Sequence, residues 1–451
     1  METIPDPAAG RKTIPDPLWK TPATAEEVAA ALRHAFDAQQ SVQIRGAGTK
    51  MHWGAARPAD AVLDMRGLNR VLAHEHGDMT ATVEAGATLR DVNRTLALHG
   101  QWLPLDPPFA DRATIGGILA TNDSGPLRHR YGTPRDLVIG IRLATPDGAL
   151  SKAGGQVVKN VAGYDLGKLL TGSFGALAAI VSATFKLAPL PKASKTLRLT
   201  VDTAAAAARI VTAIMTSQLE PLAFEIAASR DVREEQHRRE GQDLRERQDR
   251  RDGQDRRDGQ HWRDRQDGRE GQDRRDSGRP WRSCHVLIRF ASLPAVVDGQ
   301  IAQAHAALND CASSIAVLTG GDEEITWREH ADCVWSDEGA AVVRASWLPA
   351  HVERMLGALD DCAAGVDVAL VGRATVGAGL IRIAGDHDAQ VRTIERLRAS
   401  HAIGHVVIVR GSAALKACVD VWGPDGGRAR LFESLKAAFD PTGVLAGQGP
   451  L

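Results

Sequence analysis

The stretch QWLPLDPPFADRATIGGILATNDSGPLRHRYG, residues 101–132, carries the pattern on which the fold of this chain depends. Two adjacent prolines, Pro107 and Pro108, precede the glycine pair of Thr114-Ile-Gly-Gly117, and a second small-residue turn follows at Asn122-Asp-Ser-Gly125. Glycine lets main-chain N–H groups approach a ligand with no Cβ in between, so these turns suit a large flat ligand lying on bare backbone. A tight surface loop between two elements has a similar composition. The neighbouring segments distinguish the two interpretations.

The length, composition and net charge of the chain predict a multidomain protein without a strong electrostatic field. The chain has 451 residues, enough for two or three domains, and 43% of them are apolar, enough for a large core. The formal net charge of −1 gives no global attraction to nucleic acid or to anionic lipid. We therefore expect no nucleic-acid partner and at most a peripheral membrane association.

Cysteine usage and the N-terminus favour a cytoplasmic protein. The cysteines are scattered and form no C-x-x-C pair, which indicates reduced thiols and argues against an iron–sulfur cluster in this chain; they are Cys284, Cys311, Cys333, Cys362 and Cys418. No secretory apolar region opens the chain, and no run of about 18 apolar residues could cross a membrane. Residues 1–20 contain the pentad TIPDP twice and are predicted to be a disordered leader. The alternative localisation is peripheral to the inner membrane, through partner subunits.

Residues 21–190 combine strands and helices with glycine-rich turns. A capping box, Thr24 with Glu27, predicts a helix to about residue 38, and alternation in residues 41–45 predicts a strand that breaks at Arg45-Gly-Ala-Gly-Thr-Lys50. Successive N–H groups in that turn suit an anion, with Thr49 and Lys50 as side-chain donors. Strands are also predicted at 61–64, 80–85 and 136–145, helices at 89–99 and 166–171, and a strand pair within 176–187. Several glycine-rich turns adjoin strands, which indicates one binding surface built from strand-end loops.

Together these segments resemble the FAD-binding domain of the vanillyl-alcohol-oxidase type, also called the PCMH fold. The segments that match are Arg45-Gly-Ala-Gly48, Leu105-Asp-Pro-Pro108, Thr114-Ile-Gly-Gly117, Ser124-Gly125, GGQVVKNVAGYD at residues 154–165, Gly172-Ser-Phe-Gly175 and LKAAFDPTGVL at residues 435–445. Within the family, the chain is most similar to the E subunits of bacterial glycolate oxidases. The resemblance covers most of the chain outside residues 1–20 and 230–282.

The resemblance implies an α+β fold in which FAD lies extended between two subdomains. The pyrophosphate would lie on N–H groups of residues 46–49 and 114–117, and the adenine near Ile180 and Val181. The expected FAD-binding residues are Arg45, Gly46, Ala47, Gly48, Thr49, Lys50, Pro107, Thr114, Ile115, Gly116, Gly117, Thr121, Asn122, Ser124, Gly125, Gly175, Ile180 and Val181. Members that hold FAD covalently often have histidine where Thr49 stands, so non-covalent FAD is expected here. No metal site is expected.

The chain departs from the family pattern at two places. The family often ends in Asn-Pro-Gly-Arg, where this chain has Ala446-Gly-Gln-Gly449. The usual Gly-Thr-Leu-Gly is replaced by Gly175-Ala-Leu-Ala178. The added methyl groups either crowd the ligand or pack against protein.

The expected domains are a PCMH-type FAD-binding domain at 21–194, a cap at 195–424 and a C-terminal segment at 425–451 that returns to the FAD domain. Strand–helix–strand units from Lys195 onward predict a ferredoxin-like α+β cap. The predicted cap strands are 197–201, 222–226, 286–290, 315–318, 341–345, 366–370, 380–383 and 406–409, and the predicted cap helices are 204–217, 294–312, 349–361 and 389–400. In the family, the cap contributes to the substrate site.

A charged insert, residues 230–282, interrupts the cap. Residues 235–276 form seven consecutive hexads with 13 arginines and 13 acidic residues. Apolar residues are nearly absent, so no core offsets the entropy of ordering, and the balanced charge argues against a nucleic-acid arm. We expect a disordered repeat that loops out of the fold, with an interaction segment as the alternative.

Oxidation of a 2-hydroxy acid by a flavin needs a base for the hydroxyl proton and a cation for the carboxylate. The candidate side chains in the FAD domain are His52, Arg128, His129, Arg130, Lys159 and Tyr164. His52 and His129 are also typical of solvated loop histidines. Lys159 and Tyr164 lie in the most diagnostic segment and would equally suit contact with a neighbouring subunit.

The cap lacks the strings H-x-G-D-G-N-x-H and G-E-H-G-x-G, which the resemblance associates with the catalytic D subunit and with D-lactate dehydrogenases. The expected function is therefore that of an FAD-binding subunit in a complex that oxidises glycolate to glyoxylate. Its partners would be a catalytic FAD subunit and an iron–sulfur subunit. The alternatives are a self-sufficient FAD-dependent 2-hydroxy-acid dehydrogenase and a non-catalytic assembly subunit.

Overall fold

The computed structural model describes residues 21–55, 57–155, 165–230, 281, 283–363, 365–424, 427 and 429–449. The expected leader and the hexad insert lie outside the described residues, as do Lys159 and Tyr164. Predictions about these segments stay predictions.

Residues 25–189 form the N-terminal part of the fold around a five-stranded antiparallel sheet, in the order β3-β4-β8-β6-β7. Strands β1 and β2 form a separate parallel pair, and β5 pairs with β9. The elements are α1 (Ala25–Asp37), β1 (Val42–Arg45), β2 (Ala61–Asp64), β3 (Val71–Glu75), β4 (Thr80–Glu84), α2 (Leu89–Ala97), β5 (Gln101–Trp102), α3 (Ile115–Thr121), α4 (Arg128–Tyr131), α5 (Pro134–Leu137), β6 (Val138–Ala144), β7 (Leu150–Gly154), α6 (Leu166–Leu170), β8 (Ala179–Lys186) and β9 (Ala188–Pro189).

Helix α1 begins where the sequence predicts. The Thr24 side chain accepts the Glu27 N–H, which satisfies a donor that the first helical turn leaves unpaired. Val28 and Leu32 are fully buried in a core that also contains Val42 and Leu63 of the parallel strand pair. The apolar spacing thus fixes α1 beneath the strand that leads into the Arg45–Lys50 turn.

The cap is built on one eight-stranded antiparallel sheet, in the order β13-β10-β12-β11-β15-β16-β14-β17. Its strands are β10 (Ala193–Thr200), β11 (Ala223–Arg230), β12 (Ser283–Ser292), β13 (Ser314–Leu318), β14 (Ala341–Ser346), β15 (Asp367–Arg373), β16 (Ala378–Ala384) and β17 (Val406–Arg410). Its helices are α7 (Ala204–Met215), α8 (Pro294–Leu308), α9 (Gly320–Asp332), α10 (Val352–Cys362), α11 (His387–Ala399) and α12 (Ala413–Cys418). Helix α13 (Ala429–Phe439) follows the cap.

Strand order shows that the cap is two ferredoxin-like units side by side. In chain order, the first is β10-α7-β11-β12-α8-β13 and the second is β14-α10-β15-β16-α11-β17. In each, the first and third strands are central neighbours, as the ferredoxin-like split βαβ arrangement requires. The units join edge to edge through β11 and β15, where Glu225 lies opposite Arg373. The predicted α+β fold with a ferredoxin-like cap is confirmed.

Several elements differ from the sequence expectations. Residues 115–121 form helix α3 rather than a loop, and residues 134–137 form a short helix before β6. The expected strand pair within 176–187 is the single strand β8 followed by the two-residue β9. Helix α9 and strand β3 were not predicted at all. Helix α3 was not predicted from the sequence because it contains glycines at positions 116 and 117, and glycine has a poor helix propensity.

The C-terminal segment returns to the start of β1. The Val42 N–H donates to the Val444 carbonyl at 2.6 Å, and the Ala446 N–H donates to the Val42 carbonyl at 2.9 Å. Gly447 fits against Ala176, since a Cβ at Gly447 would lie 2.5 Å from the Ala176 backbone. Ala176 is fully buried, so its methyl group packs against protein at this position.

All five cysteines are free thiols, as the sequence predicts. Among the described residues, no helix is both long and apolar enough to cross a membrane.

Candidate functional site

A groove runs between the turn that follows β1 and the first turns of α3. One part of it, about 560 Å³, is lined by residues 46–51 of the turn, Thr114, Gly117 and the C-terminal residues 446–448. An adjoining part, about 480 Å³, continues along Gly116, Ala85, Gly175 and Ile180. Both parts share Gly46, Thr114 and Phe174, so they form one continuous, elongated groove.

Glycine is required at Gly46 and Gly116 for packing. A Cβ on Gly46 would lie 2.1 Å from Thr114 Oγ1, and a Cβ on Gly116 would lie 2.9 Å from Ala85 Cβ. The absent side chains therefore bring the turn onto α3, and α3 onto the end of β4. Gly48 has a φ of +74°, a left-handed conformation that glycine adopts without strain.

Unpaired main-chain donors are concentrated in the turn. In the described part of the chain, no acceptor is recorded for the N–H groups of residues 47–50. The N–H groups of Ile115 and Gly116 instead donate to the carbonyls of Ala87 and Ala85, at 2.9 and 2.7 Å. The Gly117 N–H faces the Thr114 hydroxyl at 3.4 Å. Unpaired N–H groups at the edge of a groove can bind an anion, so residues 47–50 form a candidate anion cradle.

The expected FAD-binding residues separate into three groups. Those that line the groove are Gly46, Ala47, Gly48, Thr49, Lys50, Thr114, Gly116, Gly117, Thr121, Gly175 and Ile180. Pro107 and Gly125 line a different cavity, next to the cap. The others have protein neighbours that account for them: Arg45 pairs with Asp64 at 3.0 Å, Ile115 and Val181 are core residues, and Asn122 ends α3 with a φ of 46°. Ser124 lies between Asn122 and Gly125, in the turn after α3.

A cluster of three charges, of which Lys50 and Asp123 are buried, lies at the cap end of the groove. Lys50 Nζ is 3.7 Å from Asp123 Oδ2, and Arg344 of the cap is 3.4 Å from Asp123 Oδ1. Both cations lie over the Trp53 ring, at 5.6 and 5.5 Å from its centroid. Burial lowers the pKa of the Lys50 ammonium, and the Asp123 carboxylate opposes that shift. Two cations share one carboxylate, so this end of the groove favours an additional anion.

The candidate catalytic residues that the structure describes, His52, Arg128, His129 and Arg130, do not meet at one point. His52 is exposed, and its carbonyl accepts from Lys416. Partial desolvation and the charges of Lys416, Arg410 and Lys50 lower the pKa of His52 to about 4, so its imidazole is neutral at neutral pH. Arg130 pairs with Glu220 on the surface at 2.9 Å.

Arg128 and His129 face the cap from helix α4. The His129 Nδ1 lies 2.6 Å from the Thr375 hydroxyl, and burial lowers its pKa. Burial likewise lowers the pKa of Arg128, with Arg373 and Arg344 adding to that shift. Both residues therefore contribute to the contact between the two parts of the fold.

A cavity of about 1420 Å³ separates residues 106–112 and 125–127 from the cap sheet. Its polar walls include residues that the sequence did not reveal: Asp106, Arg289, His330 and Arg373. Glu225, behind this wall, is fully buried, and its Oε2 lies 3.1 Å from His330 Nε2 while its Oε1 lies 3.5 Å from Arg373 Nε. We call Glu225, His330 and Arg373 the cap triad.

The cap triad is left with unused hydrogen-bonding capacity. His330 Nδ1, Arg373 Nε and Glu225 Oε1 are buried atoms without a hydrogen-bond partner among the described residues. Because a carboxylate only accepts, His330 Nε2 donates to Glu225, and Nδ1 is the ring nitrogen that faces no protein partner. The three residues come from β11, α9 and β15, so no local sequence motif could identify them.

Asp106 forms the opposite wall of this cavity. Its carboxylate accepts the N–H groups of Gly125 at 3.0 Å and Leu127 at 2.8 Å. Burial raises its pKa to about 7, although these hydrogen bonds and the Arg373 charge oppose the shift. Gly125 has no room for a side chain, because a Cβ there would lie 2.1 Å from the Asp106 carbonyl oxygen. Asp106 therefore ties the Pro107 segment to the turn after α3.

The N-terminal part of the chain is similar to a known protein family. Residues 18–154 match the model of a family described as FAD binding domain. The fold resembles that of alkyldihydroxyacetonephosphate synthase, with a TM-score of 0.66 at 16% identity, over 96% of this chain and 75% of the synthase chain. Residues 18–154 are therefore similar to an FAD binding domain, and the fold as a whole resembles that of the synthase.

The relatives with similar sequences include glycolate oxidase subunits and a D-lactate dehydrogenase. The chain is 32% identical over 216 residues to glycolate oxidase subunit GlcD of Bacillus subtilis, covering 48% of this chain and 46% of the relative. It is 37% identical over 157 residues to subunit GlcE of Escherichia coli, covering 34% and 44%, and 33% identical over 211 residues to D-lactate dehydrogenase of Archaeoglobus fulgidus, covering 47% of each. The chain spans about half the length of these relatives.

Proposed function

We propose that this chain binds FAD non-covalently and serves as the flavin-binding subunit of a complex that oxidises glycolate to glyoxylate. The supporting observation is the row of unpaired N–H groups at residues 47–50, which edges an elongated groove within the matched FAD-binding region. Similarity to glycolate oxidase subunits supports the substrate class and the presence of partner chains.

In the proposed complex, different sections of the groove would hold the pyrophosphate and the adenine of FAD. The N–H groups of residues 47–50 would hold the pyrophosphate, with Thr49 and Lys50 as further donors. The apolar section along Gly175 and Ile180 suits the adenine ring. Bound flavin would supply the two-electron redox chemistry that the side chains lack.

Non-covalent binding agrees with the residues along the groove. Among the described residues, its walls contain no histidine, cysteine or tyrosine that could form a covalent link to the flavin. Retention of FAD by the protein would therefore depend on the anion cradle, on Lys50 and on burial of the adenine.

We also propose the partners: a catalytic FAD subunit and an iron–sulfur subunit. The cap lacks the family strings H-x-G-D-G-N-x-H and G-E-H-G-x-G, which argues for a second catalytic chain. Membrane association would be peripheral and would occur through the complex, which otherwise resides in the cytoplasm.

The cap triad favours a second candidate, a self-sufficient 2-hydroxy-acid dehydrogenase. Arg373 would hold the substrate carboxylate with its planar donor fork, as guanidinium groups do. His330 would accept the hydroxyl proton on Nδ1, and Glu225 would fix the tautomer and stabilise the imidazolium, as the carboxylate does in hydrolase triads. A non-catalytic assembly subunit is the third candidate, for a chain that does not hold FAD.

Purification of the full chain alone, followed by reconstitution with FAD, separates these candidates. A yellow protein that is inert with glycolate under anaerobic conditions, and active after addition of its partners, would support the flavin-binding subunit. Bleaching of the flavin absorption by glycolate in the isolated chain would establish the self-sufficient enzyme instead. A protein that remains colourless after reconstitution would leave only the assembly role.

The variant Arg373→Met tests the cap triad in the same assays. If the triad binds substrate, this variant retains FAD but loses glycolate-dependent reduction, with an increase in KM that Arg373→Lys partly reverses. Arg209, which is exposed on α7, provides the matched control in Arg209→Met. Equal activity of Arg373→Met and Arg209→Met would remove Arg373 from the substrate site.

A further inference from the structure

We infer that His74, His76 and His99 form a binding site for a divalent transition-metal ion on the FAD domain. We call these residues the histidine cluster. Each offers one imidazole nitrogen, and the three nitrogens lie within 4.8 Å of one another. His74 lies on β3, His76 begins the turn between β3 and β4, and His99 follows α2. The cluster thus joins two segments that are separate in the sequence.

The rings are close enough to share one ion after small rotations. Ring centroids are 3.6 Å apart for His76 and His99, 4.2 Å for His74 and His76, and 5.3 Å for His74 and His99. Tetrahedral coordination with Zn–N bonds of about 2.1 Å requires nitrogens about 3.4 Å apart. His76 and His99 are exposed, so their side chains can turn toward a common point without disturbing the core.

Gln101 orients the His74 ring through a hydrogen bond. The Gln101 amide nitrogen donates to the His76 carbonyl at 2.9 Å, so its oxygen faces His74 Nε2 at 2.8 Å. That oxygen accepts only, so His74 Nε2 donates to it, and Nδ1 is the nitrogen that remains for a metal ion. Metal-binding histidines commonly donate their second ring N–H to an oxygen in this way. Gln101 is itself buried, at 7% exposure, and so holds the ring in a defined orientation.

The ligand atoms indicate the class of metal. Three neutral imidazoles suit Zn²⁺ and its neighbours Co²⁺, Ni²⁺ and Cu²⁺, whereas Mg²⁺ and Ca²⁺ prefer oxygen ligands. The exposed side of the cluster leaves a fourth position open to water. Zn²⁺ is the ion we assign, because its tetrahedral coordination tolerates three protein ligands and one solvent ligand.

The site is separate from the flavin groove. Strand β4 runs from Thr80, beside the β3–β4 turn, to Glu84, and the next residue, Ala85, lines the groove. The histidine cluster is therefore at the opposite end of that strand. A bound ion would link the β3–β4 hairpin to the segment between α2 and β5, and would stabilise this edge without taking part in flavin chemistry.

The test uses the full chain without an affinity tag, freed of metal by a chelator and titrated with Zn²⁺ alone against a chromophoric competitor. The proposal predicts one tight site whose affinity falls at least about 10-fold in His76→Ala and in His99→Ala, as loss of a ligand requires. Co²⁺ bound to the parent should show the strong visible absorption of a tetrahedral site. Both variants should lack this absorption. FAD content and far-UV circular dichroism should be unchanged in both variants, which separates this result from the proposed flavin function.

Two further variants test the geometry. Gln101→Met removes the oxygen that accepts from His74, and should weaken Zn²⁺ binding by about 10- to 100-fold. Gln101→Glu keeps an acceptor and should retain binding. His351, in the short turn before α10, provides the control variant His351→Ala, which should bind as the parent does. Zn²⁺ affinity and Co²⁺ absorption that are the same in the parent, His76→Ala and His99→Ala would overturn the proposal, since the ion would then bind elsewhere in the chain.

Discussion

Gly46 shows how a single missing side chain determines the shape of the groove. The Thr114 hydroxyl occupies the place that a Cβ on Gly46 would take, at 2.1 Å. The contact holds the anion cradle against α3, so the width of the groove depends on this one position.

Gly46→Ala should therefore weaken FAD binding while the chain remains folded. The added methyl group must displace the turn or Thr114, a kind of overpacking that costs about 1–3 kcal/mol. Titration with FAD should show a loss of affinity that Thr114→Ala partly restores in the double variant. Gly77→Ala is the matched control, because no described atom beyond its chain neighbours lies within 4 Å of a Cβ at Gly77. Unchanged affinity in Gly46→Ala would show that the turn adjusts freely.

Asp106 should make stability depend on pH. Its pKa is about 7 in the folded protein, against an ordinary value of 3.8. As pH rises from about 4 to 7, the unfolded chain releases this proton first, so the free energy of unfolding falls by at most about 1.4 kcal/mol per pH unit. Below pH 4 both states are protonated, and above pH 7 both are ionised, so the contribution is constant outside that window.

Asp106→Asn isolates this effect. The variant loses one acceptor for the Gly125 and Leu127 N–H groups, which lowers stability by a roughly constant amount. The difference in unfolding free energy between parent and variant should therefore shrink from pH 4 to pH 7, as measured by urea denaturation. A difference that stays constant over this range would show that the Asp106 pKa is close to its ordinary value.

At the scale of elements, strands β11 and β12 show how the fold accommodates the hexad insert. They pair antiparallel from Ala223 with Arg289 to Ser229 with Ser283, so the insert connects the ends of one hairpin. The entropy of closing a loop grows only slowly with its length. The cap therefore retains its strand order despite about 50 intervening residues.

Replacing residues 232–280 with a four-residue turn should preserve the cap and stabilise it slightly. The shorter loop should add up to about 2 kcal/mol to the free energy of unfolding, from reduced closure entropy. Urea denaturation monitored by tryptophan fluorescence would measure this change, and FAD content would report on the groove. A marked loss of stability would indicate that the insert itself contacts the fold.

The sequence predicts elements well where an apolar periodicity faces the core. Helix α1 and strands β1 and β2 were predicted almost to the residue, because their apolar spacing and the Thr24 cap agree. Helix α9 was missed because its two buried side chains are polar: Glu323, which accepts from Thr196, and His330 of the cap triad. A polar buried face gives no apolar periodicity, although this helix contributes to the candidate site.

At the scale of the whole molecule, Trp53 connects the N-terminal part of the fold to the cap. Its side chain is 1% exposed and packs in a cluster with Val342, Val371, Leu380 and Val409 of the cap sheet. The cluster lies beside the Lys50–Asp123–Arg344 charges. The two parts of the chain therefore share a small core of their own.

In the variant Trp53→Ala, the N-terminal part of the fold and the cap should unfold separately. Removal of a buried tryptophan costs about 3–5 kcal/mol, and here the loss falls on the contact between them. Calorimetry should resolve two transitions in the variant where the parent shows one. Trp327→Ala, at the edge of the cap cavity, should not produce this separation. A single transition in Trp53→Ala, shifted to lower temperature, would contradict this role.

Contacts between residues that are far apart in the sequence could not be predicted from the sequence. The pairing of β11 with β15, which brings Glu225 opposite Arg373, joins residues from two ferredoxin-like units. The glycine-rich turns at residues 45–50 and 114–117 were recognised as neighbours through the family resemblance. The cap triad has no such local pattern, so only the folded chain reveals it.

The return of the C-terminal segment also constrains how the protein is made. Gln448 donates to the Met51 carbonyl at 2.6 Å across a separation of 397 residues, and residues 446–448 form one wall of the groove. A ribosome must therefore synthesise the entire cap before that wall exists. During translation, the nascent chain presents only an open groove, so the proposed FAD binding would be a late event in biogenesis.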